Sequence, residues 1–131
     1  MSRFDKFVEM DINDLHNLTT SFIECKNVLS TDDKAALILL YSMNGLDFDI
    51  NERLCSKLLK DEDIELRGLA ICCVGHIARV YKKLVKEEIL HYMLDHYNKG
   101  DPLYYRVDDA LDDIEGSLKI KRKDIIKKFS K

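Results

Sequence analysis

The residues of this sequence that could do chemistry are concentrated in one acidic segment. From Asp101 to Glu115 there are six carboxylates and a single cation, Arg106. Paired carboxylates can act as general acid and base or can bind a divalent metal ion. On a helix, however, these side chains would spread over one exposed side, and no other segment offers a second set of ligands. The pattern therefore predicts a charged surface rather than a catalytic or metal site. Its helical members are Asp108, Asp109, Asp112, Asp113 and Glu115.

Histidines and cysteines form no pattern typical of a metal site or a nucleophile. Glu88, His91 and Asp95 would share one helical face as a possible three-ligand set, but no matching motif occurs on a second helix. The four cysteines lie in apolar helical surroundings, so we expect them to be small buried side chains. A nucleophile elbow, a phosphate-binding glycine loop and a dinucleotide fingerprint are all missing. We therefore predict no enzymatic activity, no metal and no cofactor.

The segments that carry these residues have the pattern of helices. A length of 131 residues suits one domain, and five Gly with one Pro leave few turns for an all-β fold. The spacing of apolar residues predicts an all-α protein of six to seven helices. The main predicted helices cover about 13–28, 31–43, 49–59, 64–81, 86–98 and 101–116, with short amphipathic segments at 4–8 and in 119–131.

Three local signals support particular boundaries. Asp49 and Glu52 have the spacing of a capping box, and Asp101-Pro102 combines a capping carboxylate with proline at a first helical position. Gly45 would end the third helix in a left-handed cap. In the central helix Gly68 and Gly75 each cost about 1 kcal/mol relative to alanine, so we expect another helix to approach closely there.

A repeat of about forty residues relates two segments of the chain. In this shift Asp61 aligns with Asp101, Ala70 with Ala110, and Ile71 with Leu111. Such a period is typical of α-solenoids, in which each repeat covers the apolar face of the next. The run from Asp61 to Ala70, with its acidic turn, Arg67 and small residues, resembles the turn and second helix of a HEAT repeat. Residues 75–79 and 108–114 are also similar to small stand-alone bacterial HEAT-like proteins.

The resemblance covers roughly residues 30–118 and implies a short right-handed superhelix. We expect a single domain, 1–131, with capping helices in 1–29, HEAT-like repeats in 30–118 and a basic helix or tail in 119–131. As a group, proteins of this appearance are mostly binding modules, and some are immunity proteins encoded beside polymorphic toxins. HEAT motifs are mainly packing rules, so the resemblance says little about a partner.

Charge is distributed unevenly along the chain. Residues 119–131 carry seven cations and one anion, whereas the rest carries a net charge of −9. An acidic body would attract a basic protein and repel nucleic acid. The basic tail can be a cap on that body or can contact nucleic acid or a membrane, and both interpretations stay open.

These observations predict a non-enzymatic protein-binding module, most specifically an immunity protein that occludes a basic toxin domain. The expected partner-binding residues are the five helical carboxylates together with Tyr105 and Arg106, because tyrosine and arginine are favoured at interface hot spots. An accessory scaffold in a larger assembly is the alternative, and a HEAT-type nucleic-acid-binding protein is less consistent with the charge. We expect a cytoplasmic protein without a membrane span; the oligomeric state is open.

Overall fold

The computed structural model describes residues 10–44 and 46–130. Within these residues the chain forms seven helices and no strand, as the sequence predicts. The helices are α1 (Ile12–Ile23), α2 (Thr31–Asn44), α3 (Phe48–Leu59), α4 (Ile64–Tyr81), α5 (Glu87–Leu94), α6 (Tyr104–Leu118) and α7 (Arg122–Phe129). No described helix is both long and apolar enough to cross a membrane. The predicted segment at 4–8 and the cap at Gly45 lie outside the described residues.

Aspartate side chains begin three of the helices. Asp11, Asp47 and Asp63 each stand before the first helical residue and accept a hydrogen bond from a backbone N–H of the first turn. For α4 this gives the predicted start at Ile64. For α3 the predicted capping box is wrong, since Asp47 is the cap and the Glu52 carboxylate instead accepts from the backbone N–H of Lys86 (2.8 Å).

Three other boundaries differ from the prediction for local reasons. Helix α1 ends at Ile23 because Cys25 takes a left-handed conformation (φ 61°), and the N–H of Lys26 then bonds back to Ser21. Helix α5 ends at Leu94, four residues earlier than predicted. Helix α6 begins only at Tyr104, because the Asp101 side chain accepts from the N–H of Leu103 (2.8 Å) and so holds a turn ahead of the helix.

The helices pack in two rows. Helices α1, α3, α5 and α7 contact one another in that order, and α2, α4 and α6 form the second row, with α3 packed against α4 across the rows. The core lies between the rows and consists mostly of aliphatic side chains, together with Phe22 and Tyr41. Helix α4 is the centre of this arrangement because it contacts α2, α3 and α6. Its residues Ala70, Ile71, Cys73, Val74, Ile77 and Ala78 are almost completely buried.

The forty-residue repeat of the sequence has a structural counterpart. Helices α4 and α6 begin forty residues apart, and Asp61, like Asp101, accepts a hydrogen bond from the backbone N–H two residues on (2.9 Å). The aligned pairs Ala70 and Ala110, and Ile71 and Leu111, are all buried. The repeat therefore specifies both a turn and a core stripe.

The two central glycines lie where α6 approaches α4, as expected. A Cβ at position 75 would stand 3.3 Å from the Cα of Ala110, and one at position 68 would stand 3.4 Å from the side chains of Leu103 and Arg106. The missing side chain at Gly75 thus allows α6 to pack directly on the backbone of α4, whereas the neighbours of Gly68 leave room for a Cβ, so the close approach is confirmed at Gly75 alone. This contact fixes the direction in which the opposite, charged side of α6 faces.

Candidate functional site

Helix α6 carries all seven residues that the sequence predicts for partner binding. Its apolar stripe, which includes Val107, Ala110, Leu111 and Ile114, is buried against the core. The remaining side of the helix therefore faces away from the core. That side divides into three parts, which differ in what the carboxylates contact.

One part is neutralised from within the chain. The guanidinium of Arg122, the first residue of α7, donates hydrogen bonds to Asp108, Asp112 and Glu115. It also donates to the hydroxyl of Tyr97 (3.0 Å), and that hydroxyl donates to Asp108 (2.8 Å). We call these five residues the Arg122 cluster. Three of the seven predicted partner-binding residues are thus already engaged by one arginine.

The charges of the Arg122 cluster reinforce one another. The hydrogen bonds from Tyr97 and Arg122 lower the pKa of the Asp108 carboxyl, and the backbone N–H and guanidinium of Arg122 lower that of Glu115. Burial alone would lower the pKa of Arg122, but its bonds to Glu115, Tyr97 and Asp108 outweigh burial and raise it. Asp108, Glu115 and Arg122 therefore remain charged near neutral pH, whereas the Tyr97 hydroxyl, whose pKa is raised by burial and by Asp108, stays neutral.

A second part faces α4. Asp113 lies against Gly75, and its carboxylate is 3.5 Å from the guanidinium of Arg79. Arg106 extends in the same direction, where it donates to the Cys72 sulfur (3.4 Å) and lies 3.8 Å from the Glu65 carboxylate. Both residues are partly exposed, but their first contacts are with α4. Asp113 and Arg106 thus join the two helices.

The third part is an exposed line along the outermost edge of the helix. Tyr105, Asp109 and Asp112 stand at spacings of four and three residues, and all three are exposed; we call them the α6 stripe. Asp112 belongs to both the stripe and the Arg122 cluster, since its carboxylate also accepts from Arg122. Tyr105 has 75% of its surface exposed, the largest value for a described aromatic residue. Its neighbour Tyr104 instead stacks on Tyr97, with ring centres 4.9 Å apart. The α6 stripe joins an accessible ring to two carboxylates.

The sequence prediction missed Arg122 and Tyr97 as members of this site. It assigned Arg122 to the basic tail and gave Tyr97 no role. Arg122 reaches α6 because Lys119 ends that helix in a left-handed conformation (φ 59°), which turns the chain back. Glu115 then receives both the backbone N–H and the side chain of Arg122. The only hint in the sequence is an arginine among lysines, since its planar fork suits several carboxylates.

The other candidate ligands do not form a metal site. No group of three or more His, Cys, Asp or Glu in metal-binding geometry occurs among the described residues. Glu88 pairs with Lys60 (3.3 Å), and His91 pairs with Glu87 (3.1 Å) rather than with Asp95. An open depression of about 450 Å³ beside Tyr92 is lined by Glu87, Glu88, His91 and Asp95. The possible three-ligand set is therefore not assembled.

The cysteines are more varied than predicted. Cys55 and Cys73 are fully buried, and Cys72 is half-buried. Cys25 is exposed, so its predicted burial is wrong. The reason is the early end of α1, which places Cys25 in the turn, with its sulfur 3.2 Å from the Lys57 ammonium.

Comparison with known proteins adds no relative. No family model, curated protein or solved structure matches this chain.

Proposed function

We propose that this chain is a non-enzymatic protein-binding module that engages a basic partner through the α6 stripe. The observation that carries the proposal is the exposure of Tyr105 in line with Asp109 and Asp112. A rigid aromatic side chain supplies contact area at little cost in conformational entropy, and neighbouring carboxylates steer a cationic surface towards it. The rest of the helix is fixed by α4 and by Arg122, so the stripe is held in place before a partner binds.

The proposed scaffold for this surface is a short HEAT-like solenoid. Two rows of helices in successive contact, and a turn repeated at Asp61 and Asp101, support this arrangement. Helix α6 packs against α4 and α7, and the side of it that bears the α6 stripe stays exposed.

The more specific form of the proposal is an immunity protein that occludes a toxin domain. Its support is the resemblance to small HEAT-like proteins and the net charge of −9 on the body of the chain. A nuclease domain carries a basic surface that binds the phosphates of nucleic acid. The carboxylates of Asp109 and Asp112 would imitate the charge of those phosphates and so bind to that surface. An accessory scaffold that binds a basic protein without inhibiting it is the alternative, and it would use the same surface.

The test compares two substitutions with the same change in charge. Asp109→Lys alters the centre of the α6 stripe, whereas Glu24→Lys alters an exposed carboxylate at the end of α1, a helix outside the row that contains α6. The tagged protein is used to isolate its partner, and affinity is then measured by calorimetry at two salt concentrations. We expect Asp109→Lys and Tyr105→Ala each to weaken binding at least tenfold, a typical cost for a hot-spot residue. Glu24→Lys should change the affinity less than twofold.

Two results would contradict the proposal. Equal losses for Asp109→Lys and Glu24→Lys would mean that only net charge matters, and unchanged affinity in both Tyr105→Ala and Asp109→Lys would place the interface elsewhere. Inhibition of the partner's own activity at stoichiometric concentration separates the immunity protein from the scaffold.

A further inference from the structure

A second charged surface, of opposite sign, lies at the end of the molecule where α4 and α6 terminate. Both helices end in a lysine with left-handed backbone, Lys82 (φ 56°) and Lys119 (φ 59°). Both following helices have a lysine at the N-cap, Lys86 and Lys121. The two turns therefore place lysines at matching positions, although these positions usually favour glycine and a short polar residue respectively.

The two turns are adjacent in space. Leu84 of the first turn and Ile120 of the second line the same crevice of about 160 Å³, together with Ile125 and Phe129 of α7. Helix α7 adds its own exposed lysines, of which Lys128 lines that crevice. We call the complete set the lysine edge. It consists of Lys82, Lys83, Lys86, Lys119, Lys121, Lys123, Lys127 and Lys128, all of which are exposed.

The lysine edge is not neutralised by this chain. None of its eight ammonium groups forms an ion pair with another described residue. Lysines elsewhere do so, for example Lys34 with Asp61 (2.8 Å) and Lys26 with Glu24 (2.9 Å). Two carboxylates border the edge without pairing with its ammonium groups: Asp124 lines the crevice, and Glu52 accepts from the backbone N–H of Lys86 (2.8 Å). Uncompensated positive charge of this density on an otherwise acidic protein points to an anionic ligand.

The residue types at the edge favour one class of polyanion. Lysine is a point charge that suits a diffuse array of phosphates, and the fork of the neighbouring Arg122 is already bound to carboxylates. Between the lysines lie partly exposed apolar side chains, Leu84, Ile120 and Phe129. A nucleic-acid backbone offers no partner for such groups, whereas the headgroup region of a bilayer accepts both charged and apolar side chains.

We infer that the lysine edge is a peripheral binding surface for membranes rich in anionic phospholipid. The lysines would lie among the lipid phosphates, and Leu84, Ile120 and Phe129 would contact the upper part of the acyl chains. The lysine edge and the α6 stripe have no residue in common, so binding to a membrane and binding to a protein would use different side chains.

The decisive variant removes charge while improving local structure. Serine at positions 86 and 121 is a better helix N-cap than lysine, so Lys86→Ser/Lys121→Ser should fold at least as well as the parent chain. Each lysine near an anionic surface contributes about a fivefold gain in membrane partitioning, so this double variant should lose roughly 25-fold. The matched control is Lys26→Ser/Lys99→Ser, which removes two exposed lysines outside the edge.

The measurement is cosedimentation of the full chain with vesicles, and the fraction bound gives the partition coefficient. The probes are phosphatidylcholine vesicles and vesicles of phosphatidylcholine and phosphatidylserine in a two-to-one ratio, each at low and at physiological salt. We expect binding only to the vesicles with phosphatidylserine, weakening with salt, lost in the edge variant and kept in the control. Equal losses in both variants, or no sedimentation at low salt, would overturn the inference. Retention on a DNA duplex without vesicle binding would overturn it in favour of nucleic acid.

Discussion

Gly75 of α4 lies directly against Asp113 of α6. A Cβ added at Gly75 would stand 2.7 Å from the Asp113 carboxylate, 2.9 Å from its Cβ and 3.3 Å from the backbone of Ala110. The first of these atoms could rotate away, but the other two belong to the backbone or are attached directly to it. The close packing of α4 on α6 at Gly75 therefore also determines where the charged side chain of Asp113 lies.

Gly75→Ala should destabilise the protein, although alanine is the better helix former. The gain in helix propensity is about 1 kcal/mol, whereas forcing an extra methyl group into this contact costs about 1–3 kcal/mol. We expect the free energy of unfolding in urea to fall by about 1 kcal/mol. Gly68→Ala is the matched control, since its Cβ would make only ordinary contacts, the shortest of them 3.4 Å. It should be neutral or stabilising by up to about 1 kcal/mol. A stabilised Gly75→Ala variant would contradict this account of the helix contact.

Arg122→Gln should loosen α7 from α6. The substitution removes a hydrogen-bonded cation and leaves Asp108, Asp112 and Glu115 close together without compensation. Because ion pairs that are open to solvent are weaker than shielded ones, but three of them are lost together, we expect a measurable fall in the melting temperature. Added salt should restore part of it by screening the three carboxylates. Thermal unfolding at low and high salt measures both effects.

The neighbouring lysine provides the control for this prediction. Lys123→Gln removes the same charge from α7, but Lys123 is exposed and forms no ion pair with another described residue. It should change the melting temperature very little. If the two variants behaved alike, the Arg122 cluster would not be what holds α7.

The two repeat aspartates predict how stability depends on pH. Burial alone would raise the pKa of Asp61, but the Lys34 ammonium and the Asp63 N–H outweigh burial and lower it. The pKa of Asp101 is lowered in the same way, because the Leu103 N–H and His96 outweigh burial. The unfolded chain, with an Asp pKa of about 3.9, therefore takes up protons before the folded chain does. The stabilisation is present above about pH 4 and is lost as the pH falls through the lower folded pKa values.

Asparagine substitutions test this dependence directly. Asp61→Asn and Asp101→Asn keep an oxygen that can accept from the turn N–H but remove the charge. Each should lower stability at pH 7 and make the decrease below pH 4 shallower, as measured by urea unfolding over a series of pH values. Lys34→Met should have a similar effect through Asp61 alone. If stability fell below pH 4 as steeply in both asparagine variants as in the parent chain, these two carboxylates would not be the source of that fall.

Sequence patterns predicted well what depends on neighbours along the chain. The bounds of α4 and the burial of Ala70 and Ile71 follow from a capping aspartate and an apolar period. The division of the α6 carboxylates does not, because it depends on a left-handed turn at Lys119 and on the reach of Arg122. Helical spacing alone places the five carboxylates on one exposed side, whereas the fold leaves only Asp109 and Asp112 on the exposed stripe. The start of α6 was missed because Asp101 accepts from a turn N–H instead of capping the helix.

The cysteines should separate into three classes of reactivity. Cys25 is exposed in its turn, Cys72 is half-buried beside Arg106, and Cys55 and Cys73 are completely buried. Burial also raises the pKa of both buried thiols, that of Cys73 to about 12 despite its hydrogen bond to Ser42, so that neither forms the reactive thiolate at neutral pH. A thiol reagent at pH 8 should therefore modify one cysteine quickly, a second slowly and two only after unfolding. Cys25→Ser should abolish the fast phase alone, as mass spectrometry of timed samples would show. Rapid modification of all four thiols in the native protein would mean that the core between α3 and α4 opens far more readily than its packing implies.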